Sequence, residues 1–293
     1  MSSIIEDIKK NFSSGGNALT KLIYINVGVF LLVQLLYVFS FLFSLPLLAI
    51  IDYFSLPANT LLLTKKPWSI ITYMFLHKGF MHLLFNILWL YFGGQIFLSF
   101  FDNKKLTSTY VLGGISGAVL FIISFNIFPV FENALPNAMA LGASASVLAI
   151  IMAITTKSPN YIIRLFLIGN VKLKHIAFFS IALDILSIPQ GNAGGHIAHL
   201  GGAFFGYLYV KQLNSGNDMA SGFNKIMDYL SSILRGTPKL KKTYSRKKSD
   251  QDFKKEKVQE QAKIDKILDK IAKSGYEGLT KQEKNILFKA SKK

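Results

Sequence analysis

Apolar residues in this chain do not alternate as in a half-buried strand. They gather in long runs separated by short polar stretches. Six runs stand out, at 22–45, 79–101, 107–128, 141–156, 175–189 and 195–210. A helix needs about 20 apolar residues to cross the hydrocarbon core of a bilayer. Each run therefore predicts a membrane-spanning helix, and the chain reads as all-α and polytopic. The fifth run is short and carries Asp184. Apolar residues continue past Leu45 but are interrupted by Pro46, so 46–51 predicts the start of a long loop lying at the interface.

Composition sharpens this picture. Hydrophobic residues make up 51% of 293, more than a soluble domain of this size needs. The absence of cysteine excludes disulfides and thiolate chemistry. The polar start of the chain does not read as a secretory signal. Of the net charge of +17, an excess of +11 lies from Lys211 onward, where 21 Lys/Arg stand against 10 Asp/Glu. Beside membrane spans, such a tail reads as a cytoplasmic extension that touches anionic lipid, or a cytoplasmic partner, rather than nucleic acid.

Lys and Arg also orient the spans. Lys9, Lys10, Lys21, Lys104, Lys105, Lys157, Arg164, Lys172, Lys174 and the tail fall on one side, with both termini inside. Lys65, Lys66 and Lys78 in the first outer loop run against the rule. The expected organisation is a cytoplasmic segment at 1–21, a membrane domain at 22–212, a basic disordered linker at 213–258 and a small helical hairpin at 259–293. In the hairpin, Ser274-Gly275 ends one helix and Thr280 with Glu283 caps the next.

Polar groups inside spans are costly and mark candidate function. Three spans begin on the outer side and carry their polar residues in their first two turns. These are His82 and Asn86 in the second, Ser144 in the fourth and His199 in the sixth. At 1.5 Å per residue they fall in one layer, about 5 to 10 Å below the outer helix ends. His82 and Asn86, four apart, share a helix face. A hydroxyl, an imidazole and two further donors at one depth suit acyl transfer. A serine needs an adjacent base to become a nucleophile, and the tetrahedral intermediate needs fixed donors for its oxyanion. Taken singly, each residue has a plainer reading as a cap, a packing residue or an interhelical bond.

The segment from His77 through His82 to Asn86 resembles the second-helix motif of the rhomboid family, H-x-x-x-N with another histidine five residues earlier. Gly142-Ala143-Ser144 resembles its G-x-S nucleophile motif. Ala198-His199-Leu200-Gly201-Gly202 through Gly206 is similar to its sixth-helix motif, A-H-x-x-G-x-x-x-G. The resemblance covers about residues 20–212. It implies a six-helix bundle and an intramembrane serine protease that cleaves transmembrane helices near the outer face. It further implies a Ser144–His199 dyad with no obligatory acid, an oxyanion site of His82, Asn86 and the Ser144 N–H, and no cofactor. The partners would be transmembrane substrates and membrane lipid, and the setting a bacterial inner membrane. The Gly191–Gly195 loop and the fifth helix are the expected gate. Ala198, Gly202 and Gly206 form a small-residue ridge that brings the sixth helix close to the fourth, with Gly142 and Ala145 the expected facing residues.

The chain departs from the family pattern at Ala145, where Gly is common, at Ser69 after Trp68, where Arg is common, and at Leu148, where an aromatic often sits. His196, one turn before His199, is the alternative base, and His77 is expected to brace the first loop. Asp184 is read as a helix brace, with an acid orienting histidine as the alternative. No metal is expected, because no His-Glu-x-x-His occurs and no carboxylate adjoins these histidines in sequence. Two other classes remain. A catalytically dead scaffold would lack the serine or the histidine, and a transporter would carry polar residues along a path across the bilayer.

Overall fold

The computed structural model describes residues 17–46, 49–165, 169–235 and 250–290. Six long helices carry the six apolar runs: α1 (Ala18–Phe43), α2 (Phe80–Phe100), α3 (Asn103–Ile127), α4 (Ser144–Lys157), α5 (Leu173–Ser187) and α6 (Ala193–Asn214). The protein is an all-α, polytopic membrane bundle. Helices α1, α2 and α3 are each long and apolar enough to cross a membrane unaided. Their outward residues are apolar as well, among them Leu31, Phe41, Phe85 and Ile123, as expected where the surrounding solvent is lipid.

Helix starts follow local chemistry. Asn17 caps α1 by accepting from the Leu19 N–H at 2.9 Å, so the helix begins ahead of the expected residue 22. Asp102 caps α3 through the Lys105 N–H at 2.8 Å. The Ala18 N–H donates to Asn103 Oδ1 at 2.8 Å, and Lys157 Nζ reaches Asn214 Oδ1 at 3.2 Å. Lys157 Nζ also lies over the ring of Phe101, just ahead of α3, so the starts of α1 and α3 and the ends of α4 and α6 meet at one face with Lys104, Lys105 and Lys211.

Helix α4 is the centre of the bundle. Most of its residues are buried, including Ala145, Ser146, Ala149, Ile150 and Ala153. With 14 residues it is about 21 Å long, short of the roughly 30 Å hydrocarbon thickness. Ahead of Ser144 the chain is non-helical, which a membrane bundle tolerates where protein surrounds it. Helix α6 packs on α4 almost backbone to backbone. A Cβ on Gly202 would lie 2.0 Å from the Ala145 carbonyl oxygen, and one on Gly206 would lie 2.1 Å from that of Ala149. Only glycine permits this approach. The Ser116 hydroxyl ties α3 to α6 by donating to the Gly201 carbonyl at 2.9 Å.

The long first loop is ordered by short helical segments at Ala49–Phe54, Thr60–Lys65 and Ser69–Thr72. Strand β1 (Leu56–Pro57) pairs antiparallel with β2 (Met139–Ala140), Leu56 opposite Ala140. Lys66, which runs against the charge rule, donates to the Asp52 carbonyl at 2.6 Å and so holds the loop together. A second antiparallel pair, β3 (Ile162–Leu165) and β4 (Gly169–Lys172), connects α4 to α5; sequence reading did not anticipate it.

The stretch expected to be a disordered linker contains a helix, α7 (Ser221–Arg235). Phe223, Ile226, Met227, Leu230 and Ile233 recur at helical spacing. The polar residues between them obscured that period. A separate unit, residues 236–293, holds α8 (Asp250–Ser274) and α9 (Lys281–Ala290). Here α8 begins well before the expected residue 259. Gly275 ends its last turn at φ 72°, and Thr280 and Glu283 bond reciprocally, with the Thr280 N–H donating to Glu283 Oε2 at 2.7 Å. The expected N-terminal segment 1–21 lies largely outside the described residues.

Candidate active site

Ser144 owes its place to the turn before it. Gly142 has φ +131°, a conformation that glycine adopts readily and that a helix cannot contain. Its N–H donates to the Tyr73 carbonyl at 2.9 Å, and the Ala58 N–H donates to the Ala138 carbonyl, also at 2.9 Å. The first loop thus clamps the chain entering α4. Helix α4 therefore starts at Ser144 itself rather than at the expected residue 141. The N–H groups of its first turn have no partner within the helix. Gly142 does not face α6 as expected. A Cβ there would lie 2.8 Å from the His82 ring, so this glycine makes room for an imidazole. The residues facing the α6 ridge are Ala145 and Ala149.

A cavity of about 850 Å³ opens over this turn, lined by Ser144, His199, His82, Asn86, Asp184 and His196 among others. It gathers side chains from α2, α4, α5 and α6. Ser144 and His199 share the cavity, but among the described residues no direct hydrogen bond joins them. His82 is half-buried. Asn86 is buried and donates one Nδ2–H to the His82 carbonyl at 2.7 Å, which leaves its second N–H to spare. Ser146 is fully buried and turned away, its Oγ 3.8 Å from the Met74 sulfur. Ala198 is buried in α6 beside His199.

His77 lies just ahead of α2, 3% exposed, its ring 5.1 Å from that of His82 and edge-on to it. Burial, assisted by the neighbouring His82, pushes its pKa down to about 4, so it packs as a neutral ring.

Asp184, expected first as a helix brace and only second as an acid orienting histidine, meets the histidines directly. No acid adjoins His196 or His199 in sequence, yet Asp184 Oδ1 lies 2.8 Å from Nδ1 of both. The three residues offer atoms within 4.8 Å of one another, a spacing that could also hold a metal ion. Each histidine is hydrogen-bonded to the carboxylate, and the two rings lie edge-on to each other at 5.9 Å. The available signal was the placement of Asp184 in an apolar span; its spacing of 15 from His199 becomes proximity only once α5 and α6 fold back on each other.

The comparisons with known proteins agree with this architecture. Presenilin-associated rhomboid-like protein A, mitochondrial, from Danio rerio is 30% identical over 145 residues, 46% of this chain and 35% of that protein. RHOMBOID-like protein 12, mitochondrial, from Arabidopsis thaliana is 27% identical over 157 residues, 50% of this chain and 47% of that protein. The chain thus spans from about a third to about a half of the length of these relatives. Both carry mitochondrial names, so they lend the expected bacterial inner membrane no support; what stands is an integral membrane protein. A family of unknown function matches residues 247–293. The Rhomboid domain family matches residues 64–214, just over half of the chain, and it is to this family that the protein belongs.

Proposed function

We propose that this protein is an intramembrane serine protease that cuts transmembrane helices near their outer ends. The observation that carries the reading is the shared cavity. Four polar side chains from three separate helices, Ser144, His199, His82 and Asn86, line one space above the first turn of α4. His199 takes the Ser144 proton through Nε2, and Ser144 attacks the scissile carbonyl. The two groups carry no hydrogen bond to each other, so the hydroxyl shifts toward Nε2 as substrate engages. The spare Asn86 N–H, the His82 ring and the Ser144 N–H hold the oxyanion. His199 then passes its proton to the leaving amine, and water reaching the cavity hydrolyses the acyl-enzyme.

Substrates would be membrane proteins whose helices approach through lipid and unwind locally, since helical carbonyls are shielded by their own hydrogen bonds. The Lys/Arg-rich face formed by the starts of α1 and α3 is the cytoplasmic side. Helix α7 exposes Ile226, Leu230 and Ile233 along one side, which suits contact with the lipid surface, and the basic tail suits anionic lipid or a cytoplasmic partner. The test is incubation of purified protein with a transmembrane test substrate and mapping of the cut by mass spectrometry. A cut near the outer end of the substrate helix, absent with Ser144→Ala, is expected. No cut by the folded wild type on any of a panel of substrates would replace the protease with a helix-binding scaffold.

A further inference from the structure

We infer that Asp184 is a positioning residue for His199, so that the site is a Ser144–His199–Asp184 relay built across α4, α6 and α5 rather than a dyad alone. The inference rests on the protease reading.

Three observations carry it. The first is the atom contacted. An ionised carboxylate only accepts hydrogen bonds, so His199 must carry its proton on Nδ1 to meet Asp184 Oδ1 at 2.8 Å. That leaves the Nε2 lone pair free, and Nε2 is the nitrogen with which the base receives the Ser144 proton. A contact to Nε2 would brace the helices equally well and would block the base.

The second is the double hold on the carboxylate. His196 donates its own Nδ1–H to the same oxygen, also at 2.8 Å. His196 sits one turn before His199 on the same helix, so the two N–H groups fix that oxygen relative to α6. This gives His196 a role without making it a second base.

The third is the economy of α5. Its buried residues are Leu173, Ile176 and Ala177 near its start, and then Asp184 alone. Around Asp184, the residues Leu183, Ile185 and Leu186 are exposed. A carboxylate withdrawn from water costs several kcal/mol unless paired, and an apolar residue would pack this helix at no such cost. Among the described residues, the polar partners of buried Asp184 are the two histidines. When His199 becomes an imidazolium on taking the serine proton, Asp184 stays ionised and stabilises the new charge.

The experiment uses the full chain in detergent micelles and compares wild type, Asp184→Asn and Asp184→Glu. Three quantities are read: kcat and KM on a transmembrane substrate, the labelling rate with a fluorophosphonate, and the thermal midpoint. Asp184→Asn should lower kcat and labelling by about 10²–10⁴-fold, the scale on which an orienting acid acts in serine proteases, with KM and midpoint near wild type. Asp184→Glu, which keeps the charge, should recover part of the loss. A brace would instead lower the midpoint of both variants and leave the kcat of the folded fraction unchanged, and that result overturns the inference. Should Asp184→Asn fail to fold, the histidine ¹⁵N spectrum of the wild type decides. Protonated Nδ1 and bare Nε2 on His199 support the inference, and the opposite tautomer overturns it. Wild type that is active while Asp184→Asn matches it refutes this inference alone. Wild type that neither cleaves nor labels refutes the protease reading beneath it.

Discussion

Two polar clusters lie in the same apolar bundle, and they differ in whether they open on the cavity that holds Ser144. In the first, Asn26 of α1 donates to the Leu22 carbonyl at 2.8 Å and to the Tyr110 hydroxyl of α3 at 3.0 Å, and Tyr110 donates to the Met74 carbonyl at 3.1 Å. Asn26 and Tyr110 are both fully buried, and neither lines the cavity. In the second, Asp184 accepts from His196 and His199, and the other nitrogen of His199 is left over beside the cavity that holds Ser144. A buried cluster away from that cavity, its donors spent, braces the helices. An unsaturated one at a cavity has a lone pair and a hydroxyl left for chemistry. Cost in the membrane is common to both, so cost alone does not mark function.

The comparison breaks most completely at Ser144. A fluorophosphonate should label wild type and Ser146→Ala but not Ser144→Ala, since Ser146 is sealed against Met74 while Ser144 opens on the cavity. His199→Ala should also abolish labelling, because a hydroxyl without its base is a weak nucleophile. Labelling that survives in Ser144→Ala and vanishes in Ser146→Ala would reverse the assignment. Next in size is Asn86→Ala. Loss of one oxyanion donor costs about 2.7–4 kcal/mol, roughly 10²–10³ in kcat, with substrate binding little changed. Unchanged kcat with a large fall in thermal midpoint would move Asn86 into the bracing class.

How far the sequence alone reaches is uneven, for identifiable physical reasons. Each of the six long helices lies on one of the six apolar runs, because burial in lipid demands contiguous apolar length and little else. Helical rise places Ser144, His199, His82 and Asn86 at one depth, and in the structure the four line one cavity. The depth assigned to Ser144 was not legible, because it assumed a helix from residue 141, where Gly142 turns the chain at φ +131°. That glycine makes room for His82, a contact between α2 and the entry to α4 that no local spacing reveals. Asp184 beside the histidines is likewise a product of the α5–α6 connection. Helix α7 was hidden by composition, since its apolar period is interleaved with Asn, Asp, Ser and Lys.

Of intermediate size is a pH effect from His77. Its folded pKa of about 4 lies below the ordinary 6.5, so the unfolded chain binds the extra proton first. Stability is then fully present above pH 6.5 and declines as pH falls toward 4, by up to about 3 kcal/mol. The thermal midpoint of the wild type should drop over that window, and that of His77→Asn should drop less. Identical slopes would remove His77 as the cause. The Asn26–Tyr110 cluster gives a smaller effect. Asn26→Leu strands a hydroxyl partner and should cost about 1–3 kcal/mol of stability, with kcat of the folded enzyme unchanged. A kcat loss at unchanged midpoint would show that bracing and chemistry are not separable here.

The smallest effect should come from the unit formed by residues 236–293. Its described residues line no part of the cavity, and they make contacts of their own. Ile267 and Leu279 are buried within it, and Lys270 pairs with Glu283 at 3.0 Å. Hydrogen bonds from Thr280, with the Lys270 ammonium beside them, hold the Glu283 carboxyl down at about 2, so the cap stays charged through the physiological range. The cut for a truncation belongs after Arg235 rather than at the end of α6. Ala220 and Asn224 are buried against the membrane unit, and Asp228 pairs with Lys104 at the start of α3. Removing them would confound loss of tail with damage to the bundle. Truncation after Arg235 should leave cleavage of a detergent-solubilised substrate within a few-fold of wild type. Total loss of cleavage with the thermal midpoint intact would make the tail part of the enzyme. Loss seen only in vesicles of anionic lipid, with full activity in detergent, would assign it to holding the protein at the charged membrane surface.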